Sequence, residues 1–528
     1  MGEQHPIDNV DQLNTQRPRF IIAFVAFLFL FVFLFGLPFA AFSDETLFEP
    51  VDGLMTTQVV PVGARRVRAV QVNWSALTPR VDELHLNLFD DVNLTARFSR
   101  ADSSITGAYV WVGEVIGEPG STVTLAVQDG VLSGSVHRFG RAWVVIEYAG
   151  GATPDLYTIR EIDPNTPQPT GPDYVVAPQS AADNDTRSSQ TATCQEDGSK
   201  ISLLIAYTAQ ARDMVGGTQA IIALINRRIS EMNTANDVSR VDFDWVLADV
   251  EEVDYTESGN IGSDLGNLAG RTDGYMDNIH ASRDATKADL VALLISQGSD
   301  GRCGLANQLL TAQPNPEIAF GVTALDYPGD YLCDELTLTH ELGHNLGNAH
   351  DRFSAGNNGV FPYSYGFQSP QNTFRTLMAY NCPNGGCLRI NQWANPAVWY
   401  QNEPTGIDFG MDPDNASDVA RSMNETRFMI SNYRADCIDL TPTSTATASP
   451  TATATPTNTA TATLTATPTS TATVASTATN TPTATSTPPG PTVTPTRTRR
   501  PTATPEPTAT PTRDTESHTL FAPLVIHR

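Results

Sequence analysis

Apolar and polar positions divide the chain into stretches of different period. Between residues 44 and 163 the pattern alternates in short runs: Val67-Arg-Ala-Val-Gln-Val72, Ala108-Tyr-Val-Trp-Val112, Thr122-Val-Thr-Leu-Ala-Val127 and Trp143-Val-Val-Ile-Glu-Tyr148. Turn residues (Gly, Pro, Asp) separate the runs, so this part predicts a β-rich domain. From Gly217 to Asn236 the period changes: Ile221, Ile222, Leu224, Ile225, Ile229 and Met232 recur at helical spacing. Ala288-Asp-Leu-Val-Ala-Leu-Leu-Ile295 is continuously apolar and predicts a buried strand. Residues 164–193, rich in Pro, Ser, Thr, Asn and Asp, predict an exposed linker open to processing.

The two ends are patterned differently again. A nearly unbroken apolar run, Phe20–Phe42, follows Arg17 and Arg19 and meets a small-residue stretch, Ala41-Phe42-Ser43. Residues 1–43 therefore predict export, as a cleaved signal peptide or as a signal anchor. Residues 438–513 are Thr/Pro-rich repeats of low complexity with no apolar periodicity. Such a stretch cannot bury a core and predicts a disordered, extended stalk, reaching on the order of 200 Å at about 3.1 Å per residue. Residues 514–528 end in a short apolar tail, Leu520–Ile526, too short to span a bilayer. Stalk and tail together suggest attachment to a cell wall or cell surface.

Composition narrows the class. A net charge of −26 argues against nucleic-acid partners, which need a basic surface. Six cysteines in an exported chain suggest disulfides. The pairing expected is Cys303–Cys333, Cys382–Cys387 and Cys194–Cys437. In the alternative, Cys194 is a thiolate that blocks a metal in the proenzyme.

The chemistry concentrates at His340-Glu341-Leu342-Gly343-His344-Asn345-Leu346-Gly347-Asn348-Ala349-His350-Asp351, which holds three of the nine histidines. His340 and His344 share a helix face and can reach one ion. Gly347 allows a left-handed exit from the helix that brings His350 back as a third ligand. Three nitrogens leave a coordination position for water, the arrangement of one catalytic Zn2+. Glu341, beside the first ligand, suits a general base acting on a zinc-activated water. No residue pattern resolves a calcium site.

This segment is similar to the metzincin signature, whose downstream methionine turn would be Arg375-Thr376-Leu377-Met378-Ala379-Tyr380. Asp351 after the third histidine resembles the reprolysin (adamalysin) branch, where it supports the structure. Over roughly residues 200–436 the chain resembles bacterial peptidyl-Asp metalloendopeptidases. Ile201–Thr208, Cys303-Gly304-Leu305-Ala306, Phe320–Thr323, Cys387-Leu-Arg389-Ile390 and Trp393–Pro396 are among the stretches that carry the likeness.

The resemblance implies an α/β catalytic domain at 194–437, a twisted mixed sheet plus helices around a zinc cleft, hydrolysing peptide bonds of protein or peptide substrates. It implies an edge strand before the zinc helix on which substrate pairs, and it leaves Tyr380 either as a core aromatic or as an oxyanion helper. Arg389 or Arg375 could pair with an acidic substrate side chain, or be structural. Its position before a protease suggests that the β-rich 44–163 is a propeptide that aids folding and makes a zymogen; the alternative is a permanent binding domain. The competing reading is a non-catalytic zinc-binding adhesin or binding protein on a stalk.

Overall fold

A computed structural model describes residues 45–435, apart from 52–59, 151–154, 165, 167, 169–170, 177–194, 330, 332, 356–358 and 384–385. The export segment, most of the linker, the Cys194–Cys437 pair, the stalk and the tail lie outside the described residues.

Nine strands make the first sheet: β1 (Phe48–Pro50), β2 (Ala64–Val72), β3 (Glu83–Phe89), β4 (Val92–Ser103), β5 (Tyr109–Val115), β6 (Thr122–Gln128), β7 (Val131–His137), β8 (Val144–Tyr148) and β9 (Tyr157–Ile162). Neighbouring strands are antiparallel in the order β1-β2-β9-β8-β7-β6-β5-β4-β3. The two ends of the sheet meet: Leu47 N–H donates to the His85 carbonyl at 2.9 Å, and Phe48 exchanges two hydrogen bonds with the Asn87 side chain. Closure removes the exposed edges that a free sheet would present. Inside, Leu84, Leu86, Trp111, Leu125, Val136, Ile146 and Ile159 form the core.

The second sheet is mixed. It contains β10 (Tyr174–Val175), β11 (Lys200–Thr208), β12 (Asp244–Val253), β13 (Leu290–Gln297), β14 (Gly304–Asn307) and β15 (Phe320–Asp326), in the order β10-β14-β15-β13-β11-β12. Its central strands are parallel, while β14 runs antiparallel to β15. Parallel strands covered on both faces read as continuous apolar runs, as Leu290–Ile295 does. One face packs on helix Thr218–Ser239 and the zinc-motif helix Thr337–Asn345. The other packs on helices Ile261–Ala269 and Asn278–Thr286.

Helix Thr218–Ser239 departs from the one-sided stripe its spacing predicts. Its apolar positions face the mixed sheet, and its polar positions are buried too, against the first sheet. Arg227 donates from Nε to Ser133 Oγ at 2.9 Å, pairs with Glu231 at 2.9 Å and with Glu335 at 2.6 Å. Ser135 Oγ donates to Glu231, and Arg100 reaches the Ser230 carbonyl and Thr234 Oγ1. Buried charges persist only with such partners. The disulfides Cys303–Cys333 and Cys382–Cys387 brace the segments on either side of the zinc-motif helix. Among the described residues no helix is long and apolar enough to cross a membrane.

Candidate metal and catalytic centre

Helix Thr337–Asn345 begins where the Asp334 carboxylate accepts the Leu336 N–H at 3.0 Å and the Asp334 carbonyl accepts the Thr337 hydroxyl at 2.9 Å. It is held against the sheet by Asn345, whose amide donates to the Asn307 carbonyl of β14 at 2.8 Å. Its exit runs through Gly347 at φ 91°, where a Cβ would meet Val360 at 2.6 Å. The chain then forms the short strand β16 (Ala349–Asp351), paired with β17 (Tyr365–Gly366).

These elements bring the three imidazoles together. His340 Nε2 and His344 Nε2 lie 3.2 Å and 3.1 Å from His350 Nε2. The far nitrogen of His340 is 2.8 Å from the Leu377 carbonyl, and that of His344 is 2.8 Å from the Asn348 carbonyl. For His344 the carbonyl on Nδ1 selects the tautomer with a lone pair on Nε2, which is what a metal needs, while His340 Nδ1 also faces Arg389 Nη2 at 2.7 Å. Burial pushes His340 down to about 3 and lowers His344 as well, with Asp173 opposing in both cases. Neutral rings with Nε2 atoms converging within ligand distance of a common point fit a zinc ion.

A fourth donor completes the cluster. Asp173, from the stretch read as a linker, lies between β9 and β11 in sequence. Its carboxylate is 2.6 Å from His350 Nε2, 3.2 Å from His340 Nε2 and 3.6 Å from His344 Nε2. Asp173 and the three histidines are the one group among the described residues that could hold a metal ion. Burial opposes its charge, but His350 and His340 hold the carboxyl well below the usual range. The residues flanking it are seated rather than exposed: Tyr174 and Val175 pair parallel with Ala306 and Asn307 of the edge strand β14. No local pattern marks Asp173; only the long-range pairing of β10 with β14 brings it here.

Glu341 is buried next to His340, and neither carboxylate oxygen finds a partner among the described residues. Burial and the neighbouring Asp173 charge raise its pKa well above the ordinary range, against a smaller pull from Arg389. Its carboxylate rests on Gly304, where a Cβ would stand 2.1 Å from Oε1.

Under the histidines, Met378 is fully buried, and a Cβ on Gly343 would lie 2.4 Å from its Sδ. Asp351 joins this turn to β16, as its Oδ2 accepts the Tyr380 N–H at 3.1 Å. The Tyr380 ring stacks on His350 with centroids 3.8 Å apart, and its hydroxyl donates to Asp173 Oδ1 at 2.9 Å. Burial and then Asp173 raise the pKa of that hydroxyl. Arg389 and Arg375 both approach Asp334, and burial with the neighbouring Arg389 pushes Arg375 down to about 9.

A mixed sheet, a histidine-bearing helix and a buried free carboxylate define a metallopeptidase centre. Residues 197–393 match the reprolysin model described as Metallo-peptidase family M12. A peptidyl-Asp metalloendopeptidase of Xanthomonas campestris pv. campestris is 29% identical over 64% of this chain and 80% of its own length. One of Stenotrophomonas maltophilia is 27% identical over 72% of this chain and 87% of its own. The solved metalloproteinase-II from Bacteroides fragilis aligns with a TM-score of 0.30 and 13% identity, over 55% of this chain and 83% of that one. Residues 197–393 thus resemble a reprolysin-like M12 metallopeptidase domain, and the similarity supports a metzincin-like zinc metalloendopeptidase.

Proposed function

We propose that this protein is an exported zinc endopeptidase that is synthesised latent and cuts peptides beside aspartate. His340, His344 and His350 would hold the ion. When bound, zinc supplies a Lewis acid that polarises the scissile carbonyl and acidifies a water. Glu341 takes that water's proton and passes it to the leaving amine, work that suits a carboxylate buried beside the ligand set with no competing partner among the described residues. The Tyr380 hydroxyl, once free of Asp173, donates a hydrogen bond to the developing oxyanion. Substrate extends along β14 by strand addition, where β10 now sits.

The observation that carries this reading is Glu341, buried beside three converging Nε2 atoms with its carboxylate unpartnered among the described residues. A zinc-binding adhesin has no use for that group. Latency is supported by Asp173, which covers the ligand atoms, and by the closed β-sheet of residues 45–162 packed on helix Thr218–Ser239. Export is supported by the two disulfides, which fit an oxidising compartment. The aspartate preference comes from the relatives named above. Residues 438–513 and 514–528 would tether the enzyme to the cell surface.

The test is casein hydrolysis by the full chain after limited proteolysis. Activity should vanish with a chelator, return with zinc, and be absent in Glu341→Gln while zinc content stays at one ion per chain. A folded, zinc-loaded, processed wild-type protein that cuts nothing would refute the proposal.

A further inference from the structure

Arg389 stands between the helix that carries two of the histidines and the methionine turn. It lies on the two-residue strand Leu388–Arg389, which pairs parallel with Phe374–Arg375. The next residue, Ile390, donates its N–H to the Arg375 carbonyl at 2.9 Å, so the backbone on this side is held as well. The guanidinium then reaches two groups. Nη1 donates to both oxygens of Asp334, at 2.9 and 3.0 Å. Nε donates to the Leu377 carbonyl at 3.1 Å, where Nη2 joins it. The Arg389 and Asp334 side chains are only 11% and 15% exposed, so water screens the pair little.

Both acceptors bear on the zinc-motif helix. Asp334 accepts the Leu336 N–H at the start of that helix, and it also takes the Gln168 amide at 2.8 Å, with Arg375 Nη2 further off at 3.9 Å. The Leu377 carbonyl, one residue before Met378, is the oxygen 2.8 Å from His340 Nδ1. A guanidinium is a donor that never gives up its proton, and a backbone carbonyl has two lone pairs. With a metal on Nε2, the His340 N–H and the Arg389 N–H groups therefore converge on one oxygen. The orientation of the His340 ring then follows the position of that oxygen, which Arg389 sets from one side and the backbone of the turn from the other.

We propose that Arg389 is a positioning residue for the zinc ligand His340. It relays the placement of Asp334, at the start of helix Thr337–Asn345, to the Leu377 carbonyl, and so fixes the imidazole with Nε2 turned to the ion. The planar fork serves this by facing Leu377 with one edge and Asp334 with another nitrogen; a lysine supplies the charge without that geometry. The inference rests on His340 being a zinc ligand and adds the group that holds it in place.

The experiment titrates the zinc-loaded full chain with a chromogenic chelator and reads the same proteins, with cobalt(II) in place of zinc, by visible absorption. Arg389→Gln should lower zinc affinity about 10- to 100-fold, the range for losing a group that orients a metal-bound histidine. It should also change the cobalt spectrum, because the ligand field follows ring orientation. Asp334→Asn should act in the same direction, and Arg389→Gln added to it should cost less than about threefold more, since coupled groups are not additive. Wild-type affinity in folded Arg389→Gln overturns the inference. Lower affinity with an unchanged cobalt spectrum overturns it too, by reducing Arg389 to general stability. Fully additive losses in the double variant overturn the relay through Asp334. Should Arg389→Gln fail to fold, Arg389→Lys carries the test: an intermediate affinity is expected, and wild-type affinity overturns the assignment. A wild-type chain that binds no zinc refutes the reading of the histidines and this inference with it.

Discussion

Asp351 Oδ2 accepts the backbone N–H of Tyr380 at 3.1 Å, while its Oδ1 accepts the Ser354 N–H at the same distance. The residue directly after the third histidine therefore ties the methionine turn to the strand that carries that histidine. Hydrogen bonds to a charged acceptor contribute about 1.5–3 kcal/mol. Asp351→Ala should lower unfolding free energy by about 2 kcal/mol and weaken zinc binding, measured by denaturant titration and by competition with a chromogenic chelator. An unchanged zinc affinity would limit Asp351 to general stability.

Asp173 stands in one donor cluster with the three imidazole nitrogens. Asp173→Ala removes the carboxylate that covers the ligands. The uncut chain carrying it should hydrolyse peptides at least about tenfold faster than uncut wild type, the equivalent of one lost charge-assisted contact. Equal, negligible activity in both uncut proteins would remove Asp173 from the latch.

Gly304 is the floor on which Glu341 rests. Gly304→Ala would force the carboxylate aside, since the new Cβ falls 2.1 Å from Oε1. In the processed enzyme kcat should fall on the order of 10²-fold, the scale of general-base catalysis. Zinc content should be unchanged, because the imidazoles do not touch this position. Loss of zinc together with kcat would show a wider distortion.

The interface between the two sheets is acid-sensitive. Burial, aided by Arg227, pushes the His137 imidazole down to about 3, with Glu335 opposing. Burial acts against the Glu335 charge, yet Arg227 and Arg228 hold that carboxyl down to about 2. The sign is the same for both groups. The histidine's lowered folded pKa costs stability as pH falls from about 6.5 toward 3, since the unfolded chain takes up the proton first. The glutamate contributes stability above its unfolded pKa near 4.3 that is lost as pH falls toward about 2. Thermal melts should therefore show stability declining from pH 6.5 downward. His137→Gln should flatten the part above pH 4.5; an identical slope in the variant would exonerate His137.

The histidine cluster was legible because its relation is local. His340 and His344 lie one helical turn apart, and Gly347 announces the turn that returns His350. The methionine turn is legible only through family likeness, since nothing in the spacing of Met378 shows that it packs on Gly343. Asp173 and Gln168 were not legible. Each sits in a proline-rich stretch whose composition reads as a linker, and only strand pairing more than a hundred residues away gives it a role. Helix Thr218–Ser239 misleads for a related reason. Arg227, Arg228 and Glu231 look like a solvated face, and they are buried because a second sheet supplies their partners. The sheet order, set by contacts distant in sequence, was out of reach of periodicity for the same cause.

The carboxylate of Asp173 stands within one donor cluster with His340, His344 and His350. Were one ion held by all four groups, metal occupancy and pro-segment docking would be reciprocally linked, each raising the other's affinity by the same factor. A chain short of metal would then hold its pro-segment loosely without being able to react, and a chain saturated with metal would hold it most firmly. Scarcity and abundance would both keep the unprocessed protein harmless to the cell that makes it.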